Sequence, residues 1–163
     1  MRRQQIHDLL ESEGAALRLF ATQWCHWPDD AVQEAFIDLV DVPVWPDNPR
    51  AWLYAATRNK AKNLGRAERR RATRQQRVAE HAQDAWFSDS HRSPVIDQRE
   101  LQTALEQLDP DERQIVVARV WGEMKLEELA DLVSCSTSAV HRRYHAAIAK
   151  LRRQLEVENA TDQ

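Results

Sequence analysis

The 163-residue chain carries 42% hydrophobic residues, three glycines and a formal net charge of −3. That supplies apolar material for one ordinary core or two small ones. Scarce glycine, abundant Ala, Leu, Arg and Glu, and no alternating strand pattern predict an all-α protein. The apolar runs are too short to span a bilayer and the N-terminus lacks a signal-like apolar core, so a cytoplasmic location without membrane insertion is expected. Cys25 and Cys135 are isolated from each other in such a chain, which argues against a structural disulfide.

The first predicted helix runs from about Gln4 to Trp24, with Ile6, Leu9, Leu10, Leu17, Phe20 and Trp24 on one apolar face. No chemistry is visible in it, and it reads as packing. His26-Trp27-Pro28 breaks the pattern, and Pro28-Asp29-Asp30 opens a second helix with proline and acids in its first turn. This helix reaches about Val40 and is expected to bury Val32, Phe36, Leu39 and Val40. Asp30, Glu34 and Asp38 recur at i, i+4 and i+8 with Gln33 beside them. That stripe is either a solvated face or a docking surface for a basic protein element. Asp41 to Pro49, with Pro43, Pro46, Pro49 and Trp45, is a stiff non-helical loop.

A long helix begins near Asn48 and turns Trp52, Leu53, Ala56 and Leu64 inward. Arg58, Asn59, Lys60, Lys62, Asn63 and Arg66 are left on other faces, and the helix ends in a basic run from Arg66 to Arg77. Residues 50–77 hold ten Arg and Lys against one acid, so polyanion contact should concentrate there although the whole chain is acidic. Aromatic residues among Arg, Lys and Asn suit single-stranded nucleic acid, whose bases stack while cations meet the phosphates. Trp52 and Tyr54 suit a core equally well.

Residues 78–96 lose periodicity and read as a linker carrying a Trp86-Phe87 pair. Ile96 leads into a helix with Leu101, Leu105 and Leu108. Asp109-Pro110 then starts another, because an aspartate can accept from a free amide of the first turn and proline tolerates it. Ile115, Val116, Val120 and Trp121 follow at helical spacing, and Gly122 ends the run. A short helix spans Leu126 to Val133, Ser134-Cys135-Ser136 forms a turn, and Ser136 caps the last helix. There Val140, Tyr144, Ala147, Ile148, Leu151 and Leu155 make one buried stripe. Residues 136–155 carry five Arg and Lys and no acid, so the opposite face is cationic. A short helix, a tight turn and a longer basic helix form the arrangement that places a helix N-terminus in a DNA major groove. An ordinary helical hairpin with a solvated basic face is the plainer alternative.

In this order the parts resemble an RNA polymerase sigma factor of the extracytoplasmic-function group, the minimal class of the sigma-70 family. DDAVQEAFIDL (29–39) is similar to the family's region 2.2, RAWLYAATRNKAKNLGRAERRR (50–71) to regions 2.3 and 2.4, and residues 108–153 to region 4. The resemblance implies two small helical domains: 1–77, docking on core polymerase and reading the −10 element, and 97–156, a helix-turn-helix reading the −35 element. A linker at 78–96 joins them, and 157–163 would be a disordered tail. It further implies docking on the β′ clamp helices through Asp30, Gln33 and Glu34, with the β flap as the other polymerase contact. The −10 contacts would be Trp52, Tyr54, Arg58, Asn59, Lys62, Asn63 and Arg66 beside the loop 42–49. The −35 contacts would be Ser138, His141, Arg142 and His145 near bases, with Arg143 and Lys150 near phosphates. An anti-sigma factor is a further implied partner. Departures from the family pattern are Ser134 where glycine is frequent, Ala146 where arginine is frequent, and Leu39-Val40 where tryptophan is common.

No catalytic residues and no cofactor are expected: there is no Gly-rich phosphate loop, no nucleophile with a base, and no carboxylate pair facing a pocket. His141 and His145, spaced i and i+4, have no third metal ligand placed to help them. The competing reading is a helix-turn-helix transcriptional regulator that does not engage core polymerase. Such a protein has no use for Asp30, Gln33 and Glu34 or for a second basic island.

Overall fold

The computed structural model describes residues 2–75 and 98–161, with side chains over 2–74 and 101–156. All regular elements among them are helices: α1 (Arg2–Ala21), α2 (Pro28–Asp41), α3 (Pro49–Gln75), α4 (Gln98–Glu106), α5 (Pro110–Val120), α6 (Leu126–Val133) and α7 (Thr137–Thr161). The all-α expectation holds. The chain divides into two units, Met1–Asp84 and Ala85–Gln163. The predicted linker with its Trp86-Phe87 pair lies outside the described residues.

In the first unit α1, α2 and α3 pack on one another pairwise. Leu17, Phe20 and Ala21 of α1, Ala31 and Leu39 of α2, and Leu53, Tyr54 and Ala61 of α3 are fully buried. The Phe20 ring meets Trp24 and Tyr54 edge-on, each at 5.0 Å between centroids, the geometry that ring quadrupoles favour. Helix α1 stops at Ala21, three residues short of the predicted end, so Trp24 lies in the following turn rather than on the helical face. This turn presses directly on α3. A Cβ on Gly65 would fall 1.8 Å from the Trp24 carbonyl oxygen, so only glycine allows the approach.

Three residues expected in the core are not there. Leu10 is 47%, Val40 54% and Val120 48% exposed. Fully buried side chains of α1 begin only at Glu13, and Leu39 and Val117 take the inward positions beside Val40 and Val120. Conversely, Glu13 is buried, and its carboxylate receives the Arg50 Nε at 2.8 Å. The helix that reads as packing therefore holds a charge inside the unit, neutralised by the first turn of α3.

In the second unit Ala104, Leu105, Leu108, Val116, Ala147 and Leu151 form a core, with Leu101, Trp121, Tyr144, Ile148 and Leu155 packed against it. The α7 stripe lies where its spacing predicts. Arg113 joins α5 to the end of α4 by donating to the carbonyls of Leu105, Glu106 and Leu108 at 2.7, 2.6 and 3.2 Å. The Leu105 and Glu106 carbonyls lie in the last turn of α4, which leaves them without an intrahelical partner. The Glu112 carboxylate accepts from the Asp109 N–H at 3.4 Å, the return half of a capping box. Helix α7 continues to Thr161, so it extends through most of the segment expected to be a disordered tail.

The turn between α6 and α7 explains one departure from the family pattern. Ser134 adopts left-handed backbone angles, φ 54 and ψ 48, and its N–H closes α6 onto the carbonyls of Ala130 and Asp131. A side chain in that conformation costs about 1–2 kcal/mol, partly offset by the greater unfolded-state freedom of glycine. Ser134→Gly should therefore stabilise this unit by about 0.5–1 kcal/mol, read as a higher denaturant midpoint at unchanged slope.

Candidate nucleic-acid interface

Helix α7 starts at a cap the sequence predicts: Ser136 Oγ accepts from the Ala139 N–H at 3.2 Å. Past this cap Ser138, His141, Arg142 and His145 are exposed, on the side away from the buried Val140, Ala147 and Leu151. His141 and His145 approach to 3.0 Å between their Nε2 atoms. One ring donates and the other accepts, the tautomer deciding which, so the outward Nδ1 positions of the neutral pair are one donor and one acceptor. Two other cations of this helix behave differently. Lys150 Nζ lies 2.7 and 2.8 Å from the two carboxylate oxygens of Glu112 and 3.7 Å from Asp109, and these bonds hold its pKa above the usual lysine value. Arg143 reaches Asp111 at 3.5 Å. Lys150, expected near a phosphate, ties α7 to the acids that start α5.

On α3, Asn59, Asn63 and Arg66 are exposed together with Arg70 and Arg74. Their spacing of three or four residues lines them along one face of the helix. Arg58 is half-buried, as is Lys62, whose ammonium stands 5.6 Å from the centre of the Trp24 ring. Trp52 is also half-buried. Tyr54 is a correction: its side chain is fully buried against Phe20, so it cannot stack on a base without unfolding the unit. Burial, and then the charge of Glu13, push its hydroxyl pKa far above the ordinary tyrosine value. Burial likewise raises the Cys25 thiol to about 11, so it stays protonated at neutral pH.

The loop joining α2 to α3 is fastened to α1. Arg2 donates to the carbonyls of Val42 and Pro43 at 3.4 and 3.3 Å, with its guanidinium 5.7 Å from the Trp45 ring centre. Val44 stands out at 77% exposure. Sequence reasoning missed Arg2 because the contact crosses some forty residues and leaves no periodic trace.

On α2, Asp30, Gln33 and Glu34 are exposed. The acidic stripe is nevertheless partly neutralised from within: Lys60 of α3 places its Nζ 2.8 Å from Asp38 and 3.6 Å from Glu34. Lys60, expected on a free face, is occupied. Beside the stripe, Leu10, Val32, Phe36, Ile37 and Val40 line an apolar groove of about 390 Å³. Among the described residues no three His, Cys, Asp or Glu side chains are placed to hold a metal ion, and no helix is long and apolar enough to cross a membrane.

Residues 98–151 match the family model of sigma-70 region 4. RNA polymerase sigma-E factor of Streptomyces antibioticus is 35% identical over 80 residues, covering 49% of this chain and 44% of that protein. Its counterpart in Streptomyces avermitilis is 36% identical over 77 residues, covering 47% and 42%. The chain thus spans less than half the length of these curated relatives. In fold it is similar to the sigma factor RpoE of Bartonella quintana, solved with the anti-sigma factor NepR, at a TM-score of 0.70 and 23% identity over 93% of this chain and 96% of that one. It is also similar to CnrH, solved with the cytosolic domain of CnrY, at a TM-score of 0.63 and 26% identity over 95% and 90%. Residues 98–151, which include α4 to α6 and most of α7, are thus a sigma-70 region 4 domain, and the all-helical plan of nearly the whole chain is similar to that of the solved RpoE and CnrH.

Proposed function

We propose that the protein is a promoter-specificity factor that binds core RNA polymerase and directs transcription initiation by reading −10 and −35 elements. The observation that carries this reading is the exposed polar row Ser138, His141, Arg142 and His145 at the N-terminal half of α7, backed by an unbroken apolar stripe. Such a row can follow base edges in a major groove, with Arg142 suited to guanine and the histidine pair to an acceptor and donor side by side. Arg143, half-exposed and only loosely held by Asp111, serves a phosphate.

In the first unit, Asn59, Asn63, Arg66, Arg70 and Arg74 supply a groove face for the −10 element, flanked by Arg58, Lys62 and Trp52. The loop 42–48 receives an unpaired base. Tyr54 supports this surface from beneath. Phosphate neutralisation by the arginines offsets the few kcal/mol needed to unstack a base. Asp30, Gln33 and Glu34 dock on the β′ clamp helices, while the second unit faces the β flap. A regulatory protein partner fits the same reading, since RpoE and CnrH were both solved with one.

Run-off transcription with purified core polymerase on a promoter library tests the proposal: the full chain should select a family of templates that core alone ignores. In that assay His141→Ala with Arg142→Ala should erase preference at individual upstream positions, each contact being worth about 1–3 kcal/mol. Equal weakening on all templates would mean that both side chains touch only phosphate. Transcription unaffected by the chain would leave only a regulator independent of polymerase.

A further inference from the structure

Lys60 stands between the two surfaces assigned to different partners. It belongs to α3, next in sequence to Asn59 and three residues before Asn63 on the proposed −10 face, yet its ammonium is directed to Asp38 and Glu34 on the proposed docking helix α2. Its side chain is 27% exposed, while those of Glu34 and Asp38 are 49% and 47% exposed. The carboxylates are therefore open to an incoming cationic partner, and an ion pair of this exposure is weak enough to exchange.

We infer that Lys60 is a DNA-phosphate contact gated by polymerase docking: a basic partner element takes over Glu34 and Asp38, and the released ammonium turns along α3 to a phosphate. This rests on the promoter-factor reading of both surfaces. The charge logic is direct. While Lys60 neutralises α2 it is unavailable to DNA, so the free chain lacks one cation of its α3 face. Once α2 is neutralised from outside, Lys60 has no other ion-pair partner among the described residues, and DNA supplies the nearest dense anion. The groups facing it are Asp38 and Glu34 on α2. The hydrogen bond that Lys60 donates to Asp38 is the largest influence on its pKa, which is raised above the usual lysine value, so Lys60 is charged while it bridges to α2.

Counterion release makes the inference measurable, because each phosphate neutralised on duplex DNA adds about 0.9 to the slope of log K against log salt concentration. The slope is compared for the full chain and its Lys60→Met variant, each with core polymerase on duplex promoter and each alone on the same DNA. The expected result is a shallower slope by about 0.9 for Lys60→Met with core, the same slope for both proteins without core, and recovery by Lys60→Arg. An unchanged slope with core would overturn the inference and leave Lys60 as a structural tie between α2 and α3. An equal drop with and without core would overturn the gating. If the unsubstituted chain with core binds promoter no better than core alone, the promoter reading itself fails, an outcome separate from the other two.

Discussion

Gly65→Ala should unfold the first unit at temperatures where the second remains intact. The added methyl would lie 1.8 Å from the Trp24 carbonyl oxygen and 2.9 Å from its carbon. Both are backbone atoms, so no rotamer change relieves the overlap. The turn after α1 would have to move off α3, opening the cluster of Ala21, Cys25, Ala31 and Ala61 with Trp24 and Leu64. It would also take with it the bond from the His26 N–H to Glu68 at 3.1 Å. Overpacking in a well-filled core costs about 1–3 kcal/mol and sometimes more. With backbone on both sides, about 3 kcal/mol or more is expected, against a total stability of about 5–15 kcal/mol for a domain. Denaturation followed by tryptophan emission reads the result, because Trp24 sits at the collision and Trp121 reports the other unit. A first transition unchanged by the substitution would mean that the turn and α3 do not approach as described.

Asp30→Lys should reduce co-purification with core polymerase at least about tenfold while leaving both units folded. Reversing a charge at an interface sets like charges against each other, and such juxtapositions cost several kcal/mol. Asp30 is the cleanest probe because it is exposed and lies clear of the Lys60 contacts with Glu34 and Asp38. Reversal at Glu34 would place a second lysine against Lys60 and disturb the packing of α2 on α3. The folding cost of Asp30→Lys is limited to its favourable place in the first turn of α2, about 0.3–1 kcal/mol. Binding to core unchanged by this substitution would place the docking surface elsewhere, with the apolar groove of Leu10, Ile37 and Val40 the next region to probe.

Which parts of the molecule could be read in advance follows from the range of the forces involved. The stripe from Val140 to Leu155, the cap at Ser136, the bounds of α6 and the proline-opened starts of α2 and α5 each arise within a few residues of chain. A 3.6-residue period, a hydroxyl beside free amides or a ring that fixes φ is therefore visible in the letters alone. The same locality made the cationic islands of α3 and α7 legible as islands. It could not say which members were free. Tyr54 has the same neighbours in sequence whether it is a stacking platform or a core residue, and only the arrival of Phe20 from α1 decides it. Lys150 and Lys60 look like their exposed neighbours until Glu112, 38 residues away, and Asp38 lie opposite them.

The sequence by itself thus determined the helices, most of their apolar faces and the division of charge. The tertiary structure alone decided which charges are spent inside the fold, that Gly65 must be glycine, and that Glu13 is buried on Arg50. Periodicity records how a helix is divided between inside and outside. It carries no record of which distant residue will stand across from each position once the helices pack.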